Sequence, residues 1–307
     1  MDQETFEREY GREAAWLRAE FGQGFDLRAP AFPRAGVVFA SPHSGAHYPD
    51  AFVAGSGLGR EALRRNEDAL VDALFSCAPA SGAPLLSARF PRSFVDVNRA
   101  GDDLPPEWQE PGAVPAVREG SAAYRARLGL GVVPLLISER EAIYSHPPSA
   151  AAVHARLDCL YRPYHSALKA QLDGALRRWD GALLVDCHSM PGSAVGRRGT
   201  PRADIVLGDA HGRAAREGTT ALLEELFKAR GYRVARNHPY AGGFATLHYG
   251  RPDRGVEAVQ VEINRDLYLD PVTLGPSRGY ARLSRDIAGI VGELVAARAP
   301  GLREAAE

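Results

Sequence analysis

Two segments of the same build constrain the fold of this chain more than any other feature of its sequence. An apolar, strand-forming run at 37–41 ends in Pro-His-Ser-Gly, and a similar run at 182–186 ends in Cys-His-Ser. Each predicted strand delivers one histidine, His43 or His188, at its carboxyl end, which is where open α/β sheets bind ligands. Either histidine alone could be a turn residue bonded to nearby backbone. Together they predict two ligands of one metal ion.

Strand-like and helical segments alternate along the rest of the chain. Apolar residues at helical spacing predict helices at 6–21, 61–78, 150–179 (continuous or interrupted near Pro163), 212–230 and 277–297. Further strands are predicted at 84–90, 93–99, 203–209, 232–236 and 256–264. This alternation predicts a single α/β domain over 1–307, with a mixed, mostly parallel sheet and helices on both faces. Residues 1–35 are its N-terminal helix and lead-in, and the proline- and glycine-rich stretch 101–148 is predicted to be an active-site loop or lid.

Composition and charge argue against several classes of function. With 307 residues, 45% of them hydrophobic, the chain can bury a sizeable core. Its formal net charge of −1 provides no basic field to attract nucleic acid. The N-terminus lacks the features of a signal peptide, and no apolar run approaches the roughly 20 residues that span a bilayer. Because its three cysteines are scattered, a reducing compartment is indicated. We expect a cytoplasmic protein that binds a small molecule and neither nucleic acid nor membrane.

A third metal ligand is expected among the acidic residues that follow the first strand. Catalytic zinc is commonly held by three protein ligands drawn from histidine, carboxylate and cysteine, with a fourth position left for water. The predicted helix after the first strand carries Glu67 and Asp68, either of which could turn back towards the strand end. The alternative for each is an acid on the solvated face of a helix.

Glu262 is a further acidic residue of interest, because it lies within the apolar run 259–263. A carboxylate inside a strand is costly to bury unless it is paired or used in chemistry. The alternative is a glutamate on an edge strand that faces water.

Five motifs follow one another along the chain: PHSG at 42–45, EDALVD at 67–72, DVNR at 96–99, DCHS at 186–189 and QVE at 260–262. In this order they resemble the N-formylglutamate amidohydrolase (N-formylglutamate deformylase) family. The similarity runs from about residue 37 to residue 268, most of the chain. The family is similar to the zinc carboxypeptidases and to aspartoacylase, so the resemblance implies a zinc-carboxypeptidase-like fold.

The resemblance also implies the composition of the metal site. One zinc ion would be bound by His43, Asp68 and His188. Asp68 is preferred to the fallback Glu67, because the family pattern places an aspartate before the Val-Asp pair that stands here at 71–72. The resemblance implies that Glu262 is the general base. Asp186 either orients a metal ligand from behind or caps the end of its strand.

Candidate substrate-binding residues come from the same motifs. The pair Asn98-Arg99 resembles the Asn-Arg pair that grips a substrate carboxylate in zinc carboxypeptidases, and arginine offers a planar fork matched to a carboxylate. Arg92 is a second candidate, which could equally be a surface charge. Other residues in stretches that resemble the family are predicted near the substrate: Arg162, His248 and Arg251.

The implied activity is zinc-dependent hydrolysis of the amide bond of an N-acyl amino acid. N-Formyl-L-glutamate, cleaved to formate and L-glutamate, is the substrate that the resemblance favours. One alternative is a carboxypeptidase-type zinc peptidase that acts on a peptide C-terminus. The other is a non-catalytic protein of the same fold that binds an amino acid in the pocket.

Overall fold

The computed structural model describes residues 2–108, 128–137, 141–179, 181–194 and 202–299. The predicted loop or lid at 101–148 falls partly outside the described residues, and its role stays a prediction.

A seven-stranded sheet organises the fold, in the strand order β1-β3-β2-β4-β7-β5-β6. Strand β2 pairs in parallel with β4, β4 with β7, and β5 with β6, whereas β5 pairs with β7 in antiparallel orientation. The prediction of a mixed, mostly parallel α/β sheet is therefore confirmed. The strands are β1 (Phe25–Arg28), β2 (Val37–Ser41), β3 (Leu85–Ala88), β4 (Ala182–Met190), β5 (Ile205–Gly208), β6 (Val234–Arg236) and β7 (Val256–Asn264).

Helices of very different lengths accompany the sheet. Helix α1 (Gln3–Phe21) begins after Asp2, whose side chain accepts a hydrogen bond from the Thr5 amide, and ends before Gly22, whose φ is 61°. No helix in the described part of the chain is both long and apolar enough to cross a bilayer. The helices are α1 (Gln3–Phe21), α2 (Asp50–Ala54), α3 (Arg60–Leu63), α4 (Val71–Leu74), α5 (Ala78–Ser81), α6 (Ala150–Arg156), α7 (Arg162–Trp179), α8 (Glu217–Lys228), α9 (Phe244–Tyr249) and α10 (Tyr280–Ala297), with a π-helical turn (Leu157–Tyr161) between α6 and α7.

The chain divides into two compact units. The first holds the described residues of Met1–Asp26, Pro42–Glu67 and Ser87–Ala167, and the second those of Leu27–Ser41, Asp68–Leu86 and Leu168–Glu307. Aromatic rings pack the core of the first unit, where the Phe94 ring centroid lies 5.7 Å from that of Phe21 and 5.0 Å from that of Phe52. The prediction of a single domain over the whole chain stays a prediction.

In the second unit, the alternation of side chains along β4 and β7 separates an apolar face from a polar one. Val185 and Cys187 of β4 and Val261 of β7 belong to the hydrophobic core formed with α4, α5, α8 and α10. Because successive strand residues point to opposite faces, the residues between them lie on the other face. There His188 is in register with Glu262. Helix α9 contacts β4 and β7.

The segment 61–78 is not the continuous helix that its periodicity predicts. It is divided into α3, α4 and α5, and Leu70 takes a left-handed conformation with φ 64°. The adjacent side chains of Glu67 and Asp68 are both buried. Neighbouring residues of a regular helix do not face the same surface, so the break is what allows both acids to point inward. The prediction that these acids lie on a helix is wrong.

Other elements also differ from the sequence prediction. The segment 93–99 forms hydrogen-bonded turns instead of a strand. Strand β4 continues to Met190, so His188 lies within the strand rather than beyond its end. Helix α9 (Phe244–Tyr249) is not among the helices that the sequence predicts.

Candidate metal centre

Three of the predicted ligands converge on one point. His43, Asp68 and His188 each offer a ligand atom, and these atoms lie within 4.8 Å of one another. All three side chains are buried. His43 follows β2 by two residues, Asp68 lies in the break between α3 and α4, and His188 lies in β4. The group can hold a metal ion.

Glu67, the fallback ligand, is engaged elsewhere. The Arg64 guanidinium donates to both carboxylate oxygens of Glu67, from Nε at 2.9 Å and from an Nη atom at 3.0 Å. The Tyr48 hydroxyl donates to the same carboxylate at 3.1 Å. Asp68, and not Glu67, belongs to the group that could hold a metal ion, and its role as a ligand stays a prediction.

The buried Asp96 carboxylate holds the outer nitrogen of His43. Its Oδ1 lies 2.7 Å from His43 Nε2 and also accepts the backbone N–H of Asn98. Burial alone would raise the pKa of Asp96, but Arg92, His43 and Arg99 together hold it well below its usual value. Because a carboxylate can only accept, His43 Nε2 donates to Asp96, and Nδ1 is the ring nitrogen that would bind a metal.

His188 lies between two carboxylates. Its Nδ1 is 3.0 Å from Asp68 Oδ2, and its Nε2 is 3.1 Å from Asp186 Oδ2. Burial alone would lower the pKa of His188, but Asp186 above all, with Asp68 and Glu262, raises it well above its usual value. Three carboxylates thus place negative charge around this imidazole. Asp186 lies behind His188, as expected of a residue that orients a ligand.

Asp68 is itself fixed by a second set of hydrogen bonds. Its Oδ1 accepts from an Arg265 Nη atom at 2.9 Å and from the Ser189 hydroxyl at 3.2 Å. Arg265 Nε also donates to the Ser189 hydroxyl at 3.0 Å. Ser189 therefore helps to fix the Asp68 carboxylate, which contacts His188.

Glu262 occupies an internal strand. Strand β7 lies between β4 and β5, and Glu262 is only 7% exposed, so the alternative of a water-facing edge-strand glutamate is excluded. Its partner across the β4–β7 pairing is His188. Its Oε1 accepts a hydrogen bond of 2.7 Å from Gln260 Nε2.

The predicted substrate-binding residues divide into two groups, one of which surrounds Asp96. Arg92 donates to Asp96 Oδ2 at 2.9 Å, Arg99 Nε is 3.8 Å from the same oxygen, and the Asn98 side chain is buried nearby in the chain. Since two guanidinium groups accompany one carboxylate, the formal charges leave one positive charge there. This arrangement suits an anionic ligand.

The other three residues have partners other than Asp96. Arg162 is largely exposed on α7, where it pairs with Asp158. His248 stacks on Phe244 of α9 with ring centroids 4.7 Å apart, and burial, followed by the charge of Arg251, lowers its pKa. Arg251 donates to the Gly250 carbonyl at 2.8 Å. The roles of Arg162, His248 and Arg251 stay predictions.

Sequence reasoning missed four supporting residues: Asp96, Ser189, Gln260 and Arg265. The first three stand inside the quoted motifs at 96–99, 186–189 and 260–262, so their place in the motif was the available signal. Arg265 follows the last motif by three residues, and no local pattern indicated its contact with Asp68.

The buried group of two histidines and one aspartate, with a carboxylate on a sheet strand next to His188, consists of residue types that hold a catalytic metal ion in many hydrolases. Residues 35–269 match the family model described as N-formylglutamate amidohydrolase. The match covers most of the chain, and this chain belongs to that family.

Individual relatives agree with the family assignment. The chain is 27% identical over 238 residues to an N-formylglutamate deformylase of Pseudomonas putida, covering 76% of this chain and 82% of that protein. It is 28% identical over 240 residues to one of Pseudomonas aeruginosa, covering 77% and 83%. Among solved structures, an N-formylglutamate amidohydrolase from Ralstonia eutropha JMP134 superposes with a TM-score of 0.82 at 34% identity, covering 90% of this chain and 98% of that one.

Proposed function

We propose that this protein is a zinc-dependent amidohydrolase that cleaves N-formyl-L-glutamate into formate and L-glutamate. The observation that carries the proposal is the group of His43, Asp68 and His188, with Glu262 in register with His188, in a chain of this family. The relatives that share the family are named for action on N-formylglutamate. The positive charge around Asp96 agrees with a substrate that carries carboxylates.

The donor set fits zinc. Two imidazoles and one carboxylate are the ligands of many catalytic zinc sites, and three protein ligands leave a fourth position open. The outer nitrogens of both imidazoles face carboxylates, Asp96 and Asp186, which orients each ring and leaves Nδ1 for the ion. When bound, zinc would lower the pKa of a coordinated water from 15.7 towards about 7 and polarise the scissile carbonyl.

Glu262 performs the proton transfers in this proposal. Its carboxylate takes a proton from the attacking water, whose oxygen forms the new bond to the formyl carbon. The same group then delivers that proton to the leaving nitrogen as the C–N bond breaks, so that atoms and charge balance. Asn98 and Arg99, with Arg92, bind a carboxylate of the substrate.

A panel of substrates tests this proposal. We expect the kcat/KM for N-formyl-L-glutamate to be about 10- to 200-fold higher than that for N-acetyl-L-glutamate, since one extra methyl group in a pocket changes kcat/KM by about this factor. N-Formyl-L-leucine keeps the α-carboxylate but lacks the side-chain carboxylate. It tests whether the arginines bind that second anionic group, and it should react more slowly. Release of C-terminal amino acids from dipeptides, without formate release from N-formylglutamate, would instead indicate a peptidase.

A further inference from the structure

We propose that Gln260 is a positioning residue that holds the Glu262 carboxylate in place and ties it to the backbone at 241–243. The inference rests on the proposed function, in which Glu262 is the base. Neither the metal ligands nor the substrate anchors include Gln260, and no other role in the reaction is assigned to it.

The geometry of Gln260 links two parts of the second unit. Gln260 is 5% exposed and lies in β7, two residues before Glu262 and on the same face of the strand. Its Nε2 donates to Glu262 Oε1 at 2.7 Å, and its Oε1 accepts the backbone N–H of Gly243 at 2.6 Å. One buried amide therefore bridges the base and the N-terminus of α9.

The orientation of this amide is determined by its partners. A backbone N–H can only donate, so the side-chain oxygen of Gln260 has to face Gly243. The NH2 group is then directed at Glu262, which is able to accept. A flipped amide would place two donors against each other at Gly243 and an oxygen against a carboxylate. Gln260 therefore has one satisfied orientation, and that orientation fixes one oxygen of Glu262.

The backbone that Gln260 grips is itself held against the sheet. A Cβ at Gly208 of β5 would lie 2.7 Å from both the Ala241 carbonyl carbon and the Gly242 nitrogen. The backbone at 241–242 therefore lies in close contact with β5. Gly242 has a φ of 122°, a conformation that residues with side chains rarely adopt. The Gly243 N–H is therefore held in place, and the two hydrogen bonds of Gln260 fix the Glu262 carboxylate relative to it.

Two substitutions separate positioning of Glu262 from simple support of the 241–243 backbone. Gln260→Glu still accepts the Gly243 N–H but has no N–H for Glu262 and repels its charge. Gln260→Met keeps a side chain of similar length but loses both hydrogen bonds. We expect both variants to lower kcat for N-formylglutamate by about 10- to 100-fold with KM within about threefold of wild type, because a displaced base is inefficient while substrate contacts remain. A Gln260→Glu variant with wild-type kcat would overturn the proposal.

A double-substitution cycle tests whether Gln260 acts through Glu262. In a Glu262→Gln background, Gln260→Glu should cause no further fall in kcat, because the group that it positions no longer serves as a base. A further fall of tenfold or more would mean that Gln260 acts by another route, and the proposal would be wrong. Glu257→Gln, a buried substitution on the opposite face of β7, is the control for general damage to the strand and should leave kcat unchanged.

Crystal structures of both Gln260 variants provide a readout that needs no turnover. We expect the Glu262 carboxylate to move by more than about 1 Å in each, a displacement large enough to impair proton transfer, while the Gly243 backbone stays in place in Gln260→Glu. An unmoved carboxylate in both variants would contradict the inference. Absence of formate release by the wild-type protein would contradict the proposed function alone, and the crystal structures would still decide the role of Gln260.

Discussion

Replacement of Glu262 by glutamine is expected to lower kcat for N-formylglutamate hydrolysis by about 10²- to 10⁴-fold, the range that a general base contributes. Glutamine keeps the size of the side chain and can still accept the hydrogen bond from Gln260, but it cannot take a proton from water. KM should change little, and the amount of zinc bound per protein should stay the same, because Glu262 is outside the ligand group. Steady-state kinetics with metal analysis of the same preparation measure both quantities.

Glu257→Gln provides the matched control for this experiment. Glu257 lies in the same strand and is also buried, but it accepts the Arg216 backbone N–H at 2.9 Å and belongs to the opposite face of β7. We expect this variant to unfold at a lower temperature and to keep its kcat. Undiminished turnover by Glu262→Gln would contradict the assignment of the base.

The second large effect is a difference in zinc affinity between substitutions at two neighbouring acids, Glu67 and Asp68. Asp68→Ala removes one of three ligands, so we expect zinc affinity to fall by more than about 100-fold, beyond the 10- to 100-fold cost of losing an outer-shell partner, and formate release to fall with it. Glu67→Gln disrupts the ion pair with Arg64 and leaves the ligand group intact. Zinc affinity of this variant should equal that of wild type, as measured by competition with a chelating dye.

The comparison of these two variants is decisive because the residues are adjacent and equally buried. If Glu67→Gln loses zinc while Asp68→Ala retains it, the ligand group has been assigned to the wrong acid. Circular dichroism of both variants separates loss of the ion from loss of the fold.

Much of the fold could be predicted where the local pattern and the tertiary environment agree. The bounds of β2 and β7 are correct, because apolar, β-branched runs end there at turn-forming or polar residues. Helix α1 was found from its apolar spacing and carries a capping aspartate. The helix prediction for the segment 61–78 is wrong for the opposite reason. Its spacing favours a helix, but burial of two acids with different partners overrides that preference.

Strand β4 shows the same conflict at its carboxyl end. Polar residues usually end a buried strand, so the sequence indicated an end at Asp186. The strand continues because Asp186 and His188 pair with each other on one face, where β7 presents Gln260 and Glu262 in register. A partner on a neighbouring strand is not visible in local periodicity.

The candidate site divides in a similar way. The candidate ligands His43 and His188 were indicated by the predicted strand ends, and the motifs indicated Asp68. The residues that fix them were not, because their contacts join distant parts of the chain. Asp96 is 53 residues from His43, and Arg265 is 197 residues from Asp68. Only the folded chain shows that each ligand has a dedicated supporting partner.

Formate release from N-formyl-L-glutamate, measured before and after removal of bound metal, tests the central claim most directly. We expect activity to disappear when a chelator strips the protein and to return in full with about one equivalent of zinc, since one ion is held by three protein ligands. Full activity of the metal-free protein, or no formate release with one zinc ion bound, would contradict the account.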